Sequence, residues 1–169
     1  MENGLSDTST RSLSKALKLQ NAGLYYYFNS KDEAVIACAD EAARRLEETL
    51  ILPAIRDIHS PDFMMKRLRS RANEMAPTMG FLATVCADKK YKDSMKLILD
   101  RLTERYKHYA EQVAKKLNCS KEQVEPYVYI TITAVANYMI FGEDSYIYPQ
   151  IQVIKDAIAG LTKLSGDVG

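Results

Sequence analysis

The chain has 169 residues, of which 47% are hydrophobic and 27% charged, with seven Gly and five Pro. This composition suits one globular domain, or one that carries a small appended domain, and it excludes fibrous, collagen-like and wholly disordered proteins. The 23 basic and 22 acidic side chains leave a net charge of +1, so binding to nucleic acid or to an anionic membrane would have to rest on a local basic cluster.

The cysteines and the uncharged stretches indicate where the protein resides. Cys38, Cys86 and Cys119 are far apart and form no Cys-x-x-Cys pair, so we predict small, buried, reduced side chains rather than disulfides or a zinc site. Residues 1–10 lack the basic and apolar parts of a secretion signal. The uncharged stretch 126–142 contains two Thr, one Asn and three Tyr, whereas a membrane span needs about 20 mostly apolar residues. The sequence predicts a cytoplasmic protein with no membrane partner.

Helix signals punctuate the middle of the chain. Ser30 and Glu33 have the spacing of a reciprocal capping box, and an apolar series at helical spacing follows them, so we predict a helix from Ser30 to about Pro53. The Ser-Pro-Asp triplet at 60–62 predicts a second helix start. Pro77, or the Gly three residues later, is expected to end that second helix.

Three more helices are predicted in the second half. The segment 92–117 carries an apolar row at alternating spacings of four and three, which comprises Met95, Leu99, Leu102, Tyr106, Tyr109 and Val113. Ser120 and Gln123 form another capping box, and the helix that follows, to Phe141, is apolar on nearly every side, which predicts cover from its own core and from a second chain. After a turn at 142–149, a last amphipathic helix spans about 150–164. No strand is predicted, and we assign the chain to the all-α class.

The histidines offer little to catalysis. His108 shares a helical row with Asp100, Glu104 and Glu111, which has a metal-binding interpretation, but the row lies opposite the apolar one and favours a solvated face with a Glu104–His108 pair. His59 stands alone. Because the sequence also lacks a Gly-rich phosphate loop and a recognisable nucleophile motif, it predicts no enzyme, no metal and no cofactor.

Residues 8–31 have a layout of their own. Two short helical stretches, about 10–17 and 21–28, are separated by three or four residues, and their leucines can face one core. This is the layout of a helix-turn-helix, whose second helix enters the major groove of DNA.

The residues of this segment match a family pattern. The string GLSDTSTRSLSKALKLQNAGLYYYFNSKDEAV resembles the DNA-binding region of the TetR (tetracycline-repressor-like) transcriptional regulators. On pattern are Gly4, Thr8, Ser9, Arg11, Leu13, the run Leu24 to Phe28, Ser30 and Lys31. The LYYYF-x-SK portion is the most specific part of the match.

The resemblance implies roles for individual residues. The first motif helix begins at positions that contact phosphate or a nearby base, the second begins with side chains that reach base edges, and Lys31 clamps the DNA backbone beside a helix N-terminus. Tyr27 and Phe28 are expected to be half buried. The predicted DNA-binding residues are Thr10, Arg11, Gln20, Asn21, Ala22, Gly23, Tyr25, Tyr26 and Lys31. Residues 1–31 carry a net charge of +2, which suits phosphate contact.

The resemblance also implies an architecture and a function. We expect a DNA-binding region over 1–47 and a helical effector-binding and dimerisation domain over 48–169, with a homodimer formed by the helices at 121–141 and 150–164. The function implied is a regulator, most often a repressor, that leaves its operator DNA when a small-molecule effector binds. Large Met and aromatic side chains fit a mostly apolar effector pocket. The predicted effector-binding residues are Phe63, Met64, Leu68, Met75, Phe81, Tyr106, Tyr109, Tyr127, Asn137 and Tyr138.

A second function is compatible with the sequence. TetR-like regulators have a helix of roughly four turns before the position of Gly4, where this sequence has three residues, so the first helix is expected to be missing. Its absence would expose apolar side chains of the motif to water. The alternative is therefore a dimeric small-molecule-binding protein that has lost DNA binding.

Overall fold

The computed structural model describes residues 26–57 and 60–166, and within these ranges all regular structure is helical. The all-α prediction is confirmed. In chain order the elements are α1 (Lys31–Leu46), a π-helical turn (Glu47–Ile51), α2 (Leu52–Arg56), α3 (Pro61–Ala87), a 3₁₀ turn (Lys89–Tyr91), α4 (Lys92–Leu117), α5 (Lys121–Phe141) and α6 (Asp144–Gly166).

Helix α1 begins where the capping signal predicts. Ser30 is extended (φ −151°), and its hydroxyl accepts a hydrogen bond of 3.1 Å from the Glu33 amide. The carboxylate of Glu33 accepts from the amide of Asn29 at 2.7 Å, so its return bond goes to the residue before the cap. The predicted end is wrong. Pro53 lies in the first turn of α2, directly after the π-helical turn, where its missing N–H is tolerated, and the helical path continues to Arg56.

Helix α3 corrects a second prediction. Its start at Ser60 and Pro61 is confirmed, but it runs through Pro77 and Gly80 to Ala87. Both residues lie on an exposed face, and Pro77 costs the helix one hydrogen bond, about 3 kcal/mol. Fully buried side chains of α3 lie on either side of them, and burying each such side chain contributes about 1.5–3 kcal/mol. The free energy gained by burying these side chains therefore exceeds the cost of Pro77, and the helix continues through it.

Helix α4 has the predicted bounds, but its buried row differs from the predicted one. Leu99 is 51% exposed, and Ile98 takes its place in the core. The buried row of α4 comprises Met95, Ile98, Tyr106, Ala110 and Ala114. Large side chains therefore face the core in the first half of α4, and small alanines replace them where α4 packs against α5.

The ends of α5 agree with the sequence, whereas the start of α6 does not. The capping box of Ser120 and Gln123 is present, and Gly142 ends α5 with a left-handed φ of 69°. The predicted turn at 142–149 is wrong, since α6 begins at Asp144. Arg69 of α3 pairs with the Asp144 carboxylate, and Ile147 is fully buried one turn later. The contacts of Asp144 and Ile147 hold the first turns of α6 against the other helices.

Within the described residues, the buried apolar side chains form three clusters. The main cluster joins α1, α3, the first turns of α4, the end of α5 and the start of α6. A second cluster joins Ile55 to the C-terminal half of α4 and the N-terminal half of α5, and a third lies around Ile154 and Ile158 of α6. Because α1 contributes Val35 and Ala39 to the main cluster, its N-terminal turns are packed into the body. The predicted boundary at 47/48 falls in the π-helical turn.

The cysteines are free thiols, as predicted, but they are not buried. Cys86 is exposed, and Cys38 and Cys119 are partly buried. Desolvation by the surrounding protein still raises the pKa of all three thiols, which lowers their reactivity at neutral pH. Among the helices in the described ranges, none has the length and apolar character needed to span a bilayer.

Candidate DNA-binding and effector sites

The described part of the helix-turn-helix segment is its C-terminal edge. Tyr26 and Tyr27 are 83% and 66% exposed, and their rings meet edge to face with centroids 5.0 Å apart. The prediction that Tyr27 is half buried is wrong, whereas Phe28 is partly buried. Exposed aromatic rings with free faces can contact the sugar-phosphate backbone or a thymine methyl group of DNA.

Lys31 is the first residue of α1 and is partly buried. The N-terminal amides of a helix attract phosphate, and a lysine beside them adds a positive charge. The other predicted DNA contacts lie outside the described residues; they are Thr10, Arg11, Gln20, Asn21, Ala22, Gly23 and Tyr25.

The N-terminal end of α1 is fastened to the turn that leads into α4. The Asp32 carboxylate lies 2.7 Å from Lys90 Nζ and accepts a hydrogen bond of 2.8 Å from the Tyr91 hydroxyl. The bond from Lys90, followed by that from Tyr91, lowers the pKa of Asp32. Burial, together with the bond to Asp32, raises the pKa of Tyr91 to about 12. At neutral pH the carboxylate is charged and the phenol keeps its proton, so this contact is fully formed.

Two further ion pairs join α1 and the π-helical turn to α4. Arg101 Nη2 lies 2.5 Å from Asp40 Oδ1, and Arg105 Nη1 lies 3.0 Å from Glu47 Oε2. With Asp32, the three acidic residues are eight and seven residues apart, so they share one helix face. We call this set of three contacts the α1–α4 ladder. Sequence reasoning missed it, although the spacing of the acids was a usable signal. Exposed pairs of this kind add little to stability, so the two N-terminal pairs set position more than stability.

Glu47 differs from the other acids of the ladder. It is fully buried at the start of the π-helical turn, and within the described part of the chain neither carboxylate oxygen accepts a hydrogen bond. Burial raises its pKa, and the charge of Arg105 counters that rise only in part. The negative charge of Glu47 also adds to the effect of burial in raising the pKa of Tyr106. Single π-helical turns are frequent at functional positions, and this one places a charge between two core clusters.

The structure distributes the predicted effector residues rather than gathering them. Met64, Leu68 and Met75 are each 1% exposed in the main core, together with Tyr138, and Phe81 packs against them. The other predicted residues lie elsewhere. Tyr106 and Tyr109 belong to the second cluster, and Tyr127 packs on the third. Asn137 is partly buried, and Phe63 is exposed. Their role in effector binding stays a prediction.

Phe63 lines an open cleft of about 580 Å³ between the π-helical turn with α2 on one side and α3 on the other. Polar and charged side chains dominate the cleft, including Arg56, Lys66, Arg67 and Arg71. A second groove, of about 750 Å³, lies between α1 and α4 and is mostly apolar, with Ile36, Leu97 and Ile98 in its walls. The volumes of both lie in the range of small-molecule sites.

The acidic row of α4 is a solvated face, as predicted, but its pairing differs. Glu104 pairs with Lys107 at 2.7 Å, and His108 lies 2.9 Å from Gln112 and 3.8 Å from Glu111. The predicted Glu104–His108 pair is therefore wrong. Across the residues that the structure describes, no group of three or more His, Cys, Asp and Glu side chains is placed to hold a metal ion.

The N-terminal segment is similar to a known protein family. The family model of bacterial regulatory proteins, tetR family, matches residues 1–38. This match bears out the resemblance of residues 1–38 to the TetR-family regulators. This TetR-type match includes the first two turns of α1, so it ends inside the helix that is packed into the body. Comparison with curated proteins and with solved structures finds no match for the chain.

Proposed function

We propose that this TetR-like DNA-binding regulator is a homodimeric repressor in the cytoplasm, released from its operator when a small molecule binds to the body formed by residues 48–169. The observation that carries the proposal is the family match over residues 1–38, which ends within α1. From Lys31 to Arg56 the helical path is unbroken, about 39 Å at 1.5 Å per residue. One end follows the predicted helix-turn-helix in the sequence, and the other lines the cleft between α2 and α3, which we call the basic cleft.

This geometry supports a population shift as the mechanism. An effector that binds one orientation of α1 better than another changes the distance between the two recognition helices of the dimer, whose half-sites are about 34 Å apart. The α1–α4 ladder joins α1 and the π-helical turn to α4 and to the 3₁₀ turn before it at three levels, so a shift of α4 or of the π-helical turn would be transmitted to the residues before Lys31.

The DNA contacts proposed here are tested by two substitutions. Lys31→Ala is expected to weaken binding to operator and random DNA alike and to reduce the dependence of affinity on salt by about one counterion. Asn21→Ala is expected to cost about 1–3 kcal/mol on the operator and to abolish sequence preference. The measurement is fluorescence anisotropy with labelled DNA from the region upstream of the protein's own gene and with a scrambled duplex.

A matched control is Lys155→Ala, which removes one exposed lysine from α6 and should leave both affinities unchanged. A Lys31 variant with the same salt slope as this control would contradict the backbone role. An Asn21 variant that still prefers the operator would contradict the base-reading role.

The homodimer is proposed on the apolar side chains that α5 and α6 leave exposed. Ile140 and Phe141 are 62% and 61% exposed at the end of α5, and Val153 is 66% exposed on α6. Ile130 lies eleven residues before Phe141, about three helical turns, and is 43% exposed, so the two share one face of α5. A face of this kind on two adjacent helices suits a four-helix bundle with the same helices of a partner.

The dimer predicts the outcome of one charge substitution. Ile140→Glu should convert the protein to a monomer, because the interface would bury an unpaired carboxylate. Light scattering after size exclusion should show twice the chain mass of 19.1 kDa for the unmodified protein and the single mass for the variant. Leu97→Glu is the control, because Leu97 is 67% exposed on α4. If Leu97→Glu alone produced the monomer, the interface would be on α4 instead.

A further inference from the structure

The cleft between α2 and α3 has an excess of positive charge that its own acids do not balance. Four cations and two acids lie in its walls. Both acids already have partners, since Glu48 pairs with Arg44 at 2.7 Å and Glu74 pairs with Arg71 at 2.8 Å. Arg67 is held at 3.1 Å by the buried carboxylate of Asp57.

Two cations of this cleft are left over. Within the part of the chain that the structure describes, neither Arg56 nor Lys66 is joined to an acid or to a hydrogen-bond acceptor, although both side chains are exposed and line the same cleft. Two unpaired cations at one concave surface raise the local concentration of anions and favour an oxyanion group between them.

An aromatic surface completes the cleft. Phe63 is 51% exposed, and the Arg67 guanidinium lies 5.0 Å from its ring centroid. The ion pair with Asp57 holds that guanidinium in place, so the ring and the guanidinium plane form a preorganised pair of surfaces on which a flat ring can stack.

We propose that this cleft binds a small organic anion that combines an oxyanion group with an aromatic ring, such as an aromatic carboxylate or an aryl phosphate. Arg56 and Lys66 bind the oxyanion, and Phe63 with Arg67 stacks on the ring. The volume of about 580 Å³ accommodates a molecule of that size. Use of the cleft as the effector site rests on the proposed function, whereas the binding itself does not.

The test uses the full chain without DNA. Isothermal titration with 1-naphthyl phosphate is expected to show binding that falls about tenfold in the Arg56→Ala/Lys66→Ala variant and about fivefold in Phe63→Ala. The control Lys92→Ala/Lys96→Ala removes two exposed cations from α4 and should change the affinity by less than about twofold. Inorganic phosphate and neutral 2-naphthol should each bind at least about tenfold more weakly than 1-naphthyl phosphate.

Several outcomes would overturn the proposal. These are the absence of binding up to about 1 mM ligand, equal losses in the cleft variant and in the α4 control, and inorganic phosphate binding as tightly as the aryl phosphate. Tighter binding of an acidic peptide would replace the small molecule with a protein partner. Operator anisotropy with 1-naphthyl phosphate is measured separately, so a ligand that binds but does not release DNA refutes only the effector role.

Discussion

Arg105→Met is expected to destabilise the fold by about 3 kcal/mol at neutral pH, because it leaves the buried carboxylate of Glu47 without its counter-charge. Arg105 Nη1 lies 3.0 Å from that carboxylate, which is fully buried and accepts no hydrogen bond from any described residue. Methionine keeps most of the volume of the arginine stem, so the loss reports the charge together with the 3.4 Å hydrogen bond that Arg105 Nη2 donates to the Tyr109 hydroxyl. Urea unfolding measures the change in free energy.

The pH dependence of this variant has a definite sign. Burial raises the pKa of Glu47 above the ordinary value of 4.5, so the folded state binds its proton more tightly than the unfolded state. The contribution of Glu47 to stability is therefore complete below the ordinary pKa and falls as the pH rises toward the raised one. Because Arg105 opposes this shift, Arg105→Met should lose more stability than the unmodified protein does as the pH rises above the ordinary pKa of 4.5.

Glu47→Gln provides the control for the buried charge. The amide has the shape of the protonated acid, so the variant should lack this part of the pH dependence, and Glu47→Gln/Arg105→Met should recover most of the stability that Arg105→Met loses. If the double variant is as unstable as Arg105→Met, the arginine acts through packing and the buried-charge explanation is wrong.

Leu68→Ala is also expected to cost about 3 kcal/mol, since it removes a side chain that is 1% exposed in the main core. Leu68 is among the predicted effector residues, so the variant measures how much of that prediction is ordinary core packing. The paired control is Leu99→Ala, which should cost less than about 0.5 kcal/mol because Leu99 is 51% exposed. Thermal and urea unfolding compare the two variants.

A loss below about 1 kcal/mol for Leu68→Ala would contradict a close-packed main core and would favour an internal cavity at this position. If Leu99→Ala lost as much unfolding free energy as Leu68→Ala, Leu99 would belong to the buried row of α4, as the sequence predicts.

Local signals in the sequence predicted the capped helix starts and the end of α5 at Gly142, but not the end of α3 or the start of α6. Ser30 and Ser120 cap helices because a hydroxyl accepts a nearby amide whatever the rest of the chain does. Pro77 does not end α3, because side chains distant in sequence bury both halves of that helix. The first turn of α6 is held by the pair between Arg69 and Asp144, which are 75 residues apart, and no local pattern could reveal that contact.

Of the candidate sites, one could be predicted from local sequence and one could not. The DNA-binding segment was found from its residues, since the run that ends in Phe28, Ser30 and Lys31 is specific without any structure. The basic cleft was not found, because Arg56 and Lys66 are brought together only when α3 folds back along α2. Phe63 was predicted as an effector contact for its apolar character, whereas the structure places it beside cations, where its ring is a stacking surface.

The most direct test of the central claim is the affinity of the full chain for DNA. Anisotropy titrations with duplexes from the upstream region of its gene and with a scrambled control, at about 50 and 200 mM salt, should show selective binding that weakens steeply as salt rises. Equal affinity for both duplexes at both salt concentrations would contradict the account and favour a dimer that binds small molecules without reading DNA.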